Sequence, residues 1–424
     1  MTSDIDGDWH GVLDTGAAKV KLGIRFEGDT AWMNRRSGAV DPLPLRRDGD
    51  RIAFELLPVD FAFHLRPVSD LLQGACFHNA VDFPVTLSRG AAPPDVPGAR
   101  PQALMPPFPY AAEAVAFTGA DGSRLSGTLT RPPGPGPHRV IVLSTWYGPV
   151  DRDQTVAGHK PFALWADQLA RLGYATLRYD KRGAGASEGR FDITTTGESA
   201  ADLARAVAFL RTLPDLGAVG LLGHSEGGHI SADIAAADPH IAFCVMMTPT
   251  ALPDEDILEA EMFNAARVVG GVPRDFDRTV RFVRALSEAS KAPTPEQTLA
   301  RAREILTAEA YPPERLELRA AIAATPWQRY WATHDHTAGL RGLTCPALVV
   351  LAEKDLQTPP RAHAAALTAV NPAATVVTLP GLNHLLQPAI TGAPSEYRQI
   401  ETSLDPSAIK VVCDWIAEVG RPLG

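Results

Sequence analysis

Apolar and polar positions alternate along the first ninety residues, and the rhythm then changes. Val20, Leu22, Ile24 and Phe26 alternate with Lys19, Lys21 and Arg25, a period of two that buries one face of a strand. Asp48-Gly49 supplies a turn, and Ile52, Phe54 and Leu56 resume the alternation after it. Phe61, Phe63 and Leu65, then Val85 and Leu87, add further strands. Residues 1–90 therefore read as a small antiparallel barrel or sandwich with a structural or substrate-shaping task. Trp32 and His78 stand alone there and read as core or rim residues. Between Ala91 and Pro109 lie Pro93, Pro94, Pro97, Pro101, Pro106, Pro107 and Pro109. Such density excludes the interior of helix and sheet alike, so 91–110 is expected to be a stiff linker and the main domain boundary.

From Tyr110 the pattern becomes strand, helix, strand. Val115–Thr130 reads as a hairpin around Ala120-Asp121-Gly122. Arg139–Leu143 and Ala175–Tyr179 read as buried strands, with a helix over Phe162–Arg171 between them. An amphipathic helix over Ala200–Leu213 leads to the strand Ala218–Leu222, and Ile241–Met247 is the next strand. This alternation predicts a mostly parallel sheet with helices on both faces. Between about 249 and 340 it stops, and Ile257–Val269, Phe276–Leu286, Leu299–Leu306 and Leu316–Ala323 read as helices alone. A helical block inserted after a central strand is expected to form a cap over the strand ends. The α/β pattern returns with the strand Ala347–Leu351, a helix from Arg361, the strand Thr375–Leu379 and a closing helix over Pro406–Val419.

Composition narrows the functional classes. A net charge of −9 with no Lys/Arg cluster argues against nucleic acid. No stretch approaches about twenty uninterrupted apolar residues, so no membrane span is expected. The start, Met-Thr-Ser-Asp-Ile-Asp-Gly, lacks the basic and apolar regions of a secretory signal. Cys76, Cys244, Cys345 and Cys413 show no metal-ligand spacing and read as reduced packing residues of a cytoplasmic protein.

The chemistry centres on Gly223-His-Ser-Glu-Gly-Gly228. A buried strand precedes it and a helix, His229–Ala237, follows. Strand, G-x-S-x-G and helix in that order are the signature of a nucleophile elbow, in which small neighbours let the chain turn sharply and lift Ser225 above the sheet. The amide of Glu226 then lies at a helix N-terminus, where it can face a developing oxyanion. A serine hydroxyl needs a base, and the base needs an orienting acid. His384, in Pro-Gly-Leu-Asn-His-Leu after the last strand, and Asp355, in Leu-Ala-Glu-Lys-Asp-Leu after the strand before it, meet that demand in the chain order of such enzymes. Glu353 is a rival for the acid. A second oxyanion donor is expected from the loop Ser144-Thr-Trp-Tyr-Gly-Pro149, through the amide of Tyr147 or Trp146 or through the Tyr147 hydroxyl. His224 is expected to point away beside its strand and His229 to pack. His334-Asp335-His336 offers no third metal ligand and reads as a solvated loop. Tyr179–Glu188 reads as a structural, Gly-rich turn near the mouth of the site, with Asp180 ion-paired to Arg182.

From about Arg139 onward the chain resembles the bacterial serine α/β-hydrolases of the EstD-type carboxylesterase group, which carry an N-terminal β domain. The stretches that carry the resemblance are Gly148-Pro-Val-Asp-Arg-Asp153, Gly158-His-Lys-Pro-Phe162, Leu177-Arg-Tyr-Asp-Lys-Arg-Gly183, Gly223–Gly228, Thr325-Pro-Trp327 and Pro380-Gly-Leu-Asn-His384, with Gln387, Thr391-Gly392 and Glu396-Tyr397 beyond. Residues 1–90 match only loosely. The resemblance implies an α/β-hydrolase fold over 111–424 with a helical cap, a triad of Ser225, Asp355 and His384, and oxyanion amides from Glu226 and Tyr147. Where the group has Gly-Ser-Gly-Pro, this chain has Trp146-Tyr147-Gly148-Pro149. That pair of aromatics is similar to the cocaine-esterase and prolyl-peptidase relatives, in which a tyrosine hydroxyl serves the oxyanion. The expected activity is cofactor-free, metal-free hydrolysis of a small-molecule carboxylic ester through an acyl-enzyme, with Trp327 and Trp331 in the cap lining the substrate pocket. Hydrolysis of an amide, peptide, lactone or carbon–carbon bond, a fold repurposed for binding, and a homodimer are left open.

Overall fold

The computed structural model describes residues 5–14, 19–34, 40–56, 61–78, 81–91, 100–252, 276–309, 311 and 313–420. They form two compact units. One takes the described residues of Met1–Ala99, Met262–Phe282 and Ala393–Gln399, and the other those of Arg100–Glu261, Val283–Gly392 and Ile400–Gly424.

The first unit holds nine antiparallel strands: β1 (Gly7–Asp14), β2 (Lys19–Glu27), β3 (Thr30–Asn34), β4 (Val40–Pro44), β5 (Arg46–Asp48), β6 (Arg51–Leu56), β7 (Phe61–Val68), β8 (Leu71–His78) and β9 (Val81–Arg89). Their hydrogen-bonded order is β4-β3-β2-β1-β9-β8-β7-β6-β5. The two edge strands, β4 and β5, are separated by Leu45 alone, so the sheet must curl until its ends meet, leaving a seam without ladder bonds among the described residues. The inward face fills this curl. Trp9, Leu22, Ile24, Phe26, Ile52, Phe54, Phe63, Leu72 and Leu87 belong to one buried cluster. Phe26 of β2 meets Phe54 of β6 edge-on across the interior at 5.7 Å, and Phe54 stacks on Phe63 at 4.9 Å. Strands β1 and β8 were not legible in the alternation because each carries a glycine in its middle. A Cβ on Gly11 or Gly74 would run into the backbone of the neighbouring strand, at 2.2 Å from the Thr86 carbonyl and 1.9 Å from that of His64.

The second unit is an α/β-hydrolase fold. Strands β10 (Ala111–Thr118), β11 (Arg124–Arg131), β12 (His138–Ser144), β13 (Ala175–Tyr179), β14 (Leu216–His224), β15 (Ile241–Met247), β16 (Ala347–Ala352) and β17 (Thr375–Leu379) lie in the order β10-β11-β13-β12-β14-β15-β16-β17. β11 runs antiparallel to both neighbours, and β13 through β17 are parallel. Alternate residues of each central strand serve opposite faces. Val140, Val142, Leu221 and Val349 join α2 (Thr196–Leu210) and α3 (Glu226–Ala237), whereas Ile141, Leu143, Leu222 and Val350 join α1 (Pro161–Arg171) and the C-terminal helix Pro406–Val419. Every residue of β16 is buried. Each buried Leu, Ile or Val contributes roughly 1.5–3 kcal/mol relative to exposure, which fixes the strand order that the site depends on.

Helix α2 begins four residues before the expected Ala200 and ends three before Leu213. The reason is local. Thr195 and Glu198 form a reciprocal capping box, and Pro214 lies too close for the helix to continue. Between β15 and β16 come α4 (Phe276–Ser290), α5 (Pro295–Ala308), α6 (Pro313–Ala323), α7 (Pro326–Thr333) and α8 (Ala338–Gly342). The expected helix over Ile257–Val269 lies outside the described residues, as do residues 92–99 of the proline-rich stretch. Residues just after those are held firmly. The Arg100 guanidinium donates to the carbonyls of Ile400 and Ala157, and the Gln102 side chain bridges Ser403 and Leu404. Helices α9 (Pro360–Val370) and α10 (Pro406–Val419) complete the unit.

Candidate active site

Ser225 is the single residue between β14 and α3, at φ 55 and ψ −122. That left-handed conformation is costly for a residue with a Cβ, roughly 1–3 kcal/mol, and persists only where surroundings impose it. Here they do. The Ser225 N–H donates to the Met247 carbonyl of β15 (2.8 Å), and its own carbonyl accepts from Gly228 N–H (2.8 Å). Gly223 and Gly227 are pressed together so closely that a Cβ on the former would lie 2.0 Å from the Gly227 carbonyl. A Cβ on Gly227 would lie 2.0 Å from the Ser144 carbonyl, so the elbow is packed directly against the end of β12. The sharp turn thus comes from glycine at the two positions where chains touch.

His384 and Asp355 meet. His384 Nδ1 donates to Asp355 Oδ2 at 2.7 Å, and both side chains are buried. Thr358 Oγ1 donates to the same oxygen (2.6 Å), while Oδ1 accepts from the amides of Gln357 (2.8 Å) and Thr358 (2.9 Å). Burial alone would raise the Asp355 carboxyl, but the His384 imidazole and the Thr358 donors outweigh it and hold it below the usual carboxylate range. Glu353 accepts instead from the Gly381 amide, away from the imidazole. With Nδ1 donating, Nε2 of His384 carries the lone pair. The loop bearing His384 is braced by Asn383, whose Oδ1 accepts from the amides of Leu385 and Gln387 (both 3.0 Å).

His224 is not turned idly aside. Gln154 Nε2 donates to its Nδ1 (3.0 Å), which leaves Nε2–H to donate to the His384 carbonyl (2.8 Å). The His224 and His384 rings lie 5.1 Å apart, and the chain neighbour of Ser225 therefore holds the backbone of His384. Burial lowers the His224 pKa to about 3, so the ring is neutral, as this bonding requires. Among the described residues Ser225 and His384 share no hydrogen bond. Such bonds commonly tighten only in the substrate complex.

Glu226 follows Ser225, and Trp146 and Tyr147 lie on the loop after β12, where Trp146 meets the His224 ring edge-on at 5.2 Å. Their amides donate to no other group among the described residues. The Glu226 side chain is buried and accepts from Lys181 Nζ (3.0 Å), Thr196 Oγ1 (2.6 Å) and Trp327 Nε1 (2.8 Å). Burial would raise this carboxyl as well, but the Lys181 ammonium and the Thr196 and Trp327 donors keep it below its ordinary value. Lys181 also donates to the Trp146 carbonyl (3.0 Å). Tyr147, 44% exposed, lies 3.9 Å from Trp327, which stacks in turn on Trp331 at 5.3 Å. The Tyr147 phenol is raised by burial and by the Glu226 charge. Lys181, Thr196, Gln154 and Thr358 were missed as site residues. Lys181 belongs to the stretch read as a structural turn, and nothing in its spacing aims it at Glu226.

Two expectations fail. Asp180 pairs not with Arg182 but with Arg152 (2.5 Å), while Arg182 pairs with Asp202 (2.8 Å) and Asp121 (3.2 Å), because the tight turn at Gly183 sends the two side chains to different elements. His336 is buried rather than solvated, its ring tilted against Trp331 at 4.1 Å between centroids, and its carbonyl accepts from His229 Nδ1. That bond, with Thr250 N–H donating to Nε2 (3.0 Å), makes His229 a brace between α3 and the chain on either side of the helical insertion. Among the described residues no cluster of three His, Cys, Asp or Glu side chains is arranged to hold a metal ion.

The Hydrolase_4 family, described as "Serine aminopeptidase, S33", matches residues 160–387, more than half of the chain. The chain belongs to this hydrolase family. The matched span starts at the residue before α1 and ends three residues beyond His384. The hydrolase is also similar to Esterase EstD of Thermotoga maritima, 33% identical over 138 residues, which is 32% of this chain and 33% of that protein. The chain thus spans about a third of the length of that curated relative. Among solved structures it is similar to Est1E of Butyrivibrio proteoclasticus with bound ferulic acid (17% identity, 72% of this chain and 97% of that one, TM-score 0.43). It is likewise similar to the Pyrococcus furiosus esterase Pf2001 (15%, 76% and 97%, TM-score 0.43). No described helix is long and apolar enough to cross a membrane.

Proposed function

We propose that this hydrolase cleaves small-molecule carboxylic esters through an acyl-enzyme formed on Ser225. His384 Nε2 takes the serine proton and returns it to the leaving alcohol. Asp355 fixes the imidazole tautomer and stabilises the imidazolium. The amides of Glu226 and of Tyr147 or Trp146 receive the oxyanion, and one such donor is worth roughly 2.7–4 kcal/mol in comparable sites. Water then attacks the acyl carbonyl with His384 as base. Trp327 and Trp331, carried by the helical insertion, border the pocket, and no cofactor is required. The observation that carries the reading is the buried 2.7 Å bond from His384 Nδ1 to Asp355, formed beside a serine held at positive φ. The relative Esterase EstD, named for ester hydrolysis, agrees with it. The thiols of Cys244, Cys345 and Cys413 are free, which supports a reducing, cytoplasmic setting.

The test is Ser225→Ala on a p-nitrophenyl ester. Turnover should fall by at least about 10³-fold, and near-wild-type turnover removes the mechanism. The family description favours a second reading, release of N-terminal amino acids from peptides. Aminoacyl p-nitroanilides assayed beside esters separate the two, since a peptidase processes both and a dedicated esterase only the first.

A further inference from the structure

The residue that follows Ser225 presents two opposed features. Its amide heads α3 and faces the place where an oxyanion forms, yet its side chain is a carboxylate with 3% of its surface exposed. A bare buried anion beside a developing anion opposes the reaction, because Coulomb repulsion over a few ångströms of protein is barely screened. The structure supplies a counter-charge. Lys181, itself 8% exposed, sets its ammonium 3.0 Å from Glu226 Oε2 and 3.0 Å from the Trp146 carbonyl. Its backbone amide further donates to the Val150 carbonyl (3.1 Å), so both ends of Lys181 grip the loop after β12. Thr196 and Trp327 supply neutral donors to the remaining carboxylate oxygen and bring no charge.

We infer that Lys181 is a positioning and charge-balancing residue. It ties the Trp146–Tyr147 loop to the elbow and cancels the Glu226 carboxylate, so that oxyanion donors from both sides act in a neutral surrounding. The inference rests on Ser225 forming a tetrahedral, negatively charged intermediate. It differs from a plain structural strut in one respect. A strut loses the same stability and activity whichever end is removed, whereas a charge balance is asymmetric. Removing the lysine leaves an anion. Removing the carboxylate leaves a cation, which is harmless to an oxyanion.

The experiment uses the full chain and four variants: Lys181→Met, Glu226→Gln, the double variant and Lys181→Arg, each checked for folding by circular dichroism. On a neutral p-nitrophenyl ester, Lys181→Met should lower kcat on the order of 100-fold with KM changed less than threefold. Glu226→Gln should lower kcat less than tenfold, and adding it to Lys181→Met should restore kcat at least tenfold. Lys181→Arg, which keeps the charge, should stay within about tenfold of wild type. A double variant no faster than Lys181→Met, or equal losses from the two single variants, overturns the inference. If Lys181→Met does not fold, Glu226→Gln decides through phenylboronic acid, which binds serine hydrolases as an anionic tetrahedral adduct. Charge balance predicts an unchanged or lower inhibition constant, and a rise of more than tenfold refutes it. A wild-type chain inactive on esters and unlabelled by fluorophosphonate sinks the parent reading instead, a result distinct from any of these rankings.

Discussion

Asp355→Asn tests the proposed chemistry most sharply, because the structure dictates which way the new amide must sit. Oδ1 of Asp355 accepts from two backbone amides, those of Gln357 and Thr358. Those donors cannot turn away, so the asparagine carbonyl must occupy that position. Its NH₂ is then forced to the place of Oδ2, facing His384 Nδ1 and the Thr358 hydroxyl. Thr358 Oγ1 already lies 3.2 Å from the Thr248 carbonyl and can donate there while accepting from the amide. No buried polar group is stranded, so the stability cost stays at about 1 kcal/mol. The imidazole fares differently. Facing a donor, Nδ1 must hold the lone pair, which puts the proton on Nε2, where it cannot receive another from Ser225. An imposed wrong tautomer lowers kcat by about 10⁴-fold in a comparable triad, some 5.5 kcal/mol of transition-state stabilisation. Turnover of a p-nitrophenyl ester, with thermal melts recorded beside it, is the assay. A folded Asp355→Asn within tenfold of wild-type kcat refutes the reasoning. Glu353→Gln, the neighbouring carboxylate that bonds Gly381 instead, should change kcat less than about twofold if Asp355 alone orients the base.

Other expectations follow from the same geometry. Gly227→Ala places a methyl group 2.0 Å from the Ser144 carbonyl and 2.7 Å from that of Thr145. It should cost more than about 2 kcal/mol in urea unfolding and abolish turnover, and an unchanged midpoint with full activity contradicts the packing. Burial holds His224 down to about 3 and His229 to about 4, so both are neutral in the fold and gain a proton on unfolding below about 6.5. The unfolded chain then binds more protons. Their stabilising effect is full above pH 6.5 and is lost as pH falls toward 4, by up to about 1.4 kcal/mol per pH unit for each ring. Urea midpoints at pH 7, 6 and 5 measure the slope, and His229→Gln should flatten it. A midpoint flat across that range speaks against both neutral rings.

Much of the second unit was legible because its signals are local. A central parallel strand is a buried apolar run of fixed length, which is why Ala175–Tyr179 and Ile241–Met247 coincide with β13 and β15, and Val376, Val377 and Leu379 still mark β17, Thr375–Leu379, although it is a largely uncovered edge strand. The elbow was legible because its glycines are demanded by steric contact at those positions. What escaped depends on partners distant in the chain. Lys181 and Glu226 are 45 residues apart, and only folding makes one the neighbour of the other. Gln154 reaches His224 across 70 residues from a loop position with nothing in its spacing to aim it there. The pairing of Asp180 was misjudged for the same reason: nearness in sequence suggested Arg182, while the turn at Gly183 handed Asp180 to Arg152. The capped start of α2 could have been read from Thr195 and Glu198, where a helix signal was present and overlooked.

The seam in the nine-stranded curl has a bearing on association between molecules. Open strand edges invite a strand from another chain, and proteins that remain separate blunt them. Here β4 carries Pro42 and Pro44, two residues apart, so the same flank lacks two successive N–H donors. Across the seam, β5 reads Arg-Arg-Asp, with all three residues exposed and charged. A stranger's backbone would find few donors on one lip and a row of hydrated charges on the other. Fibre growth or pairing through this opening is thereby discouraged.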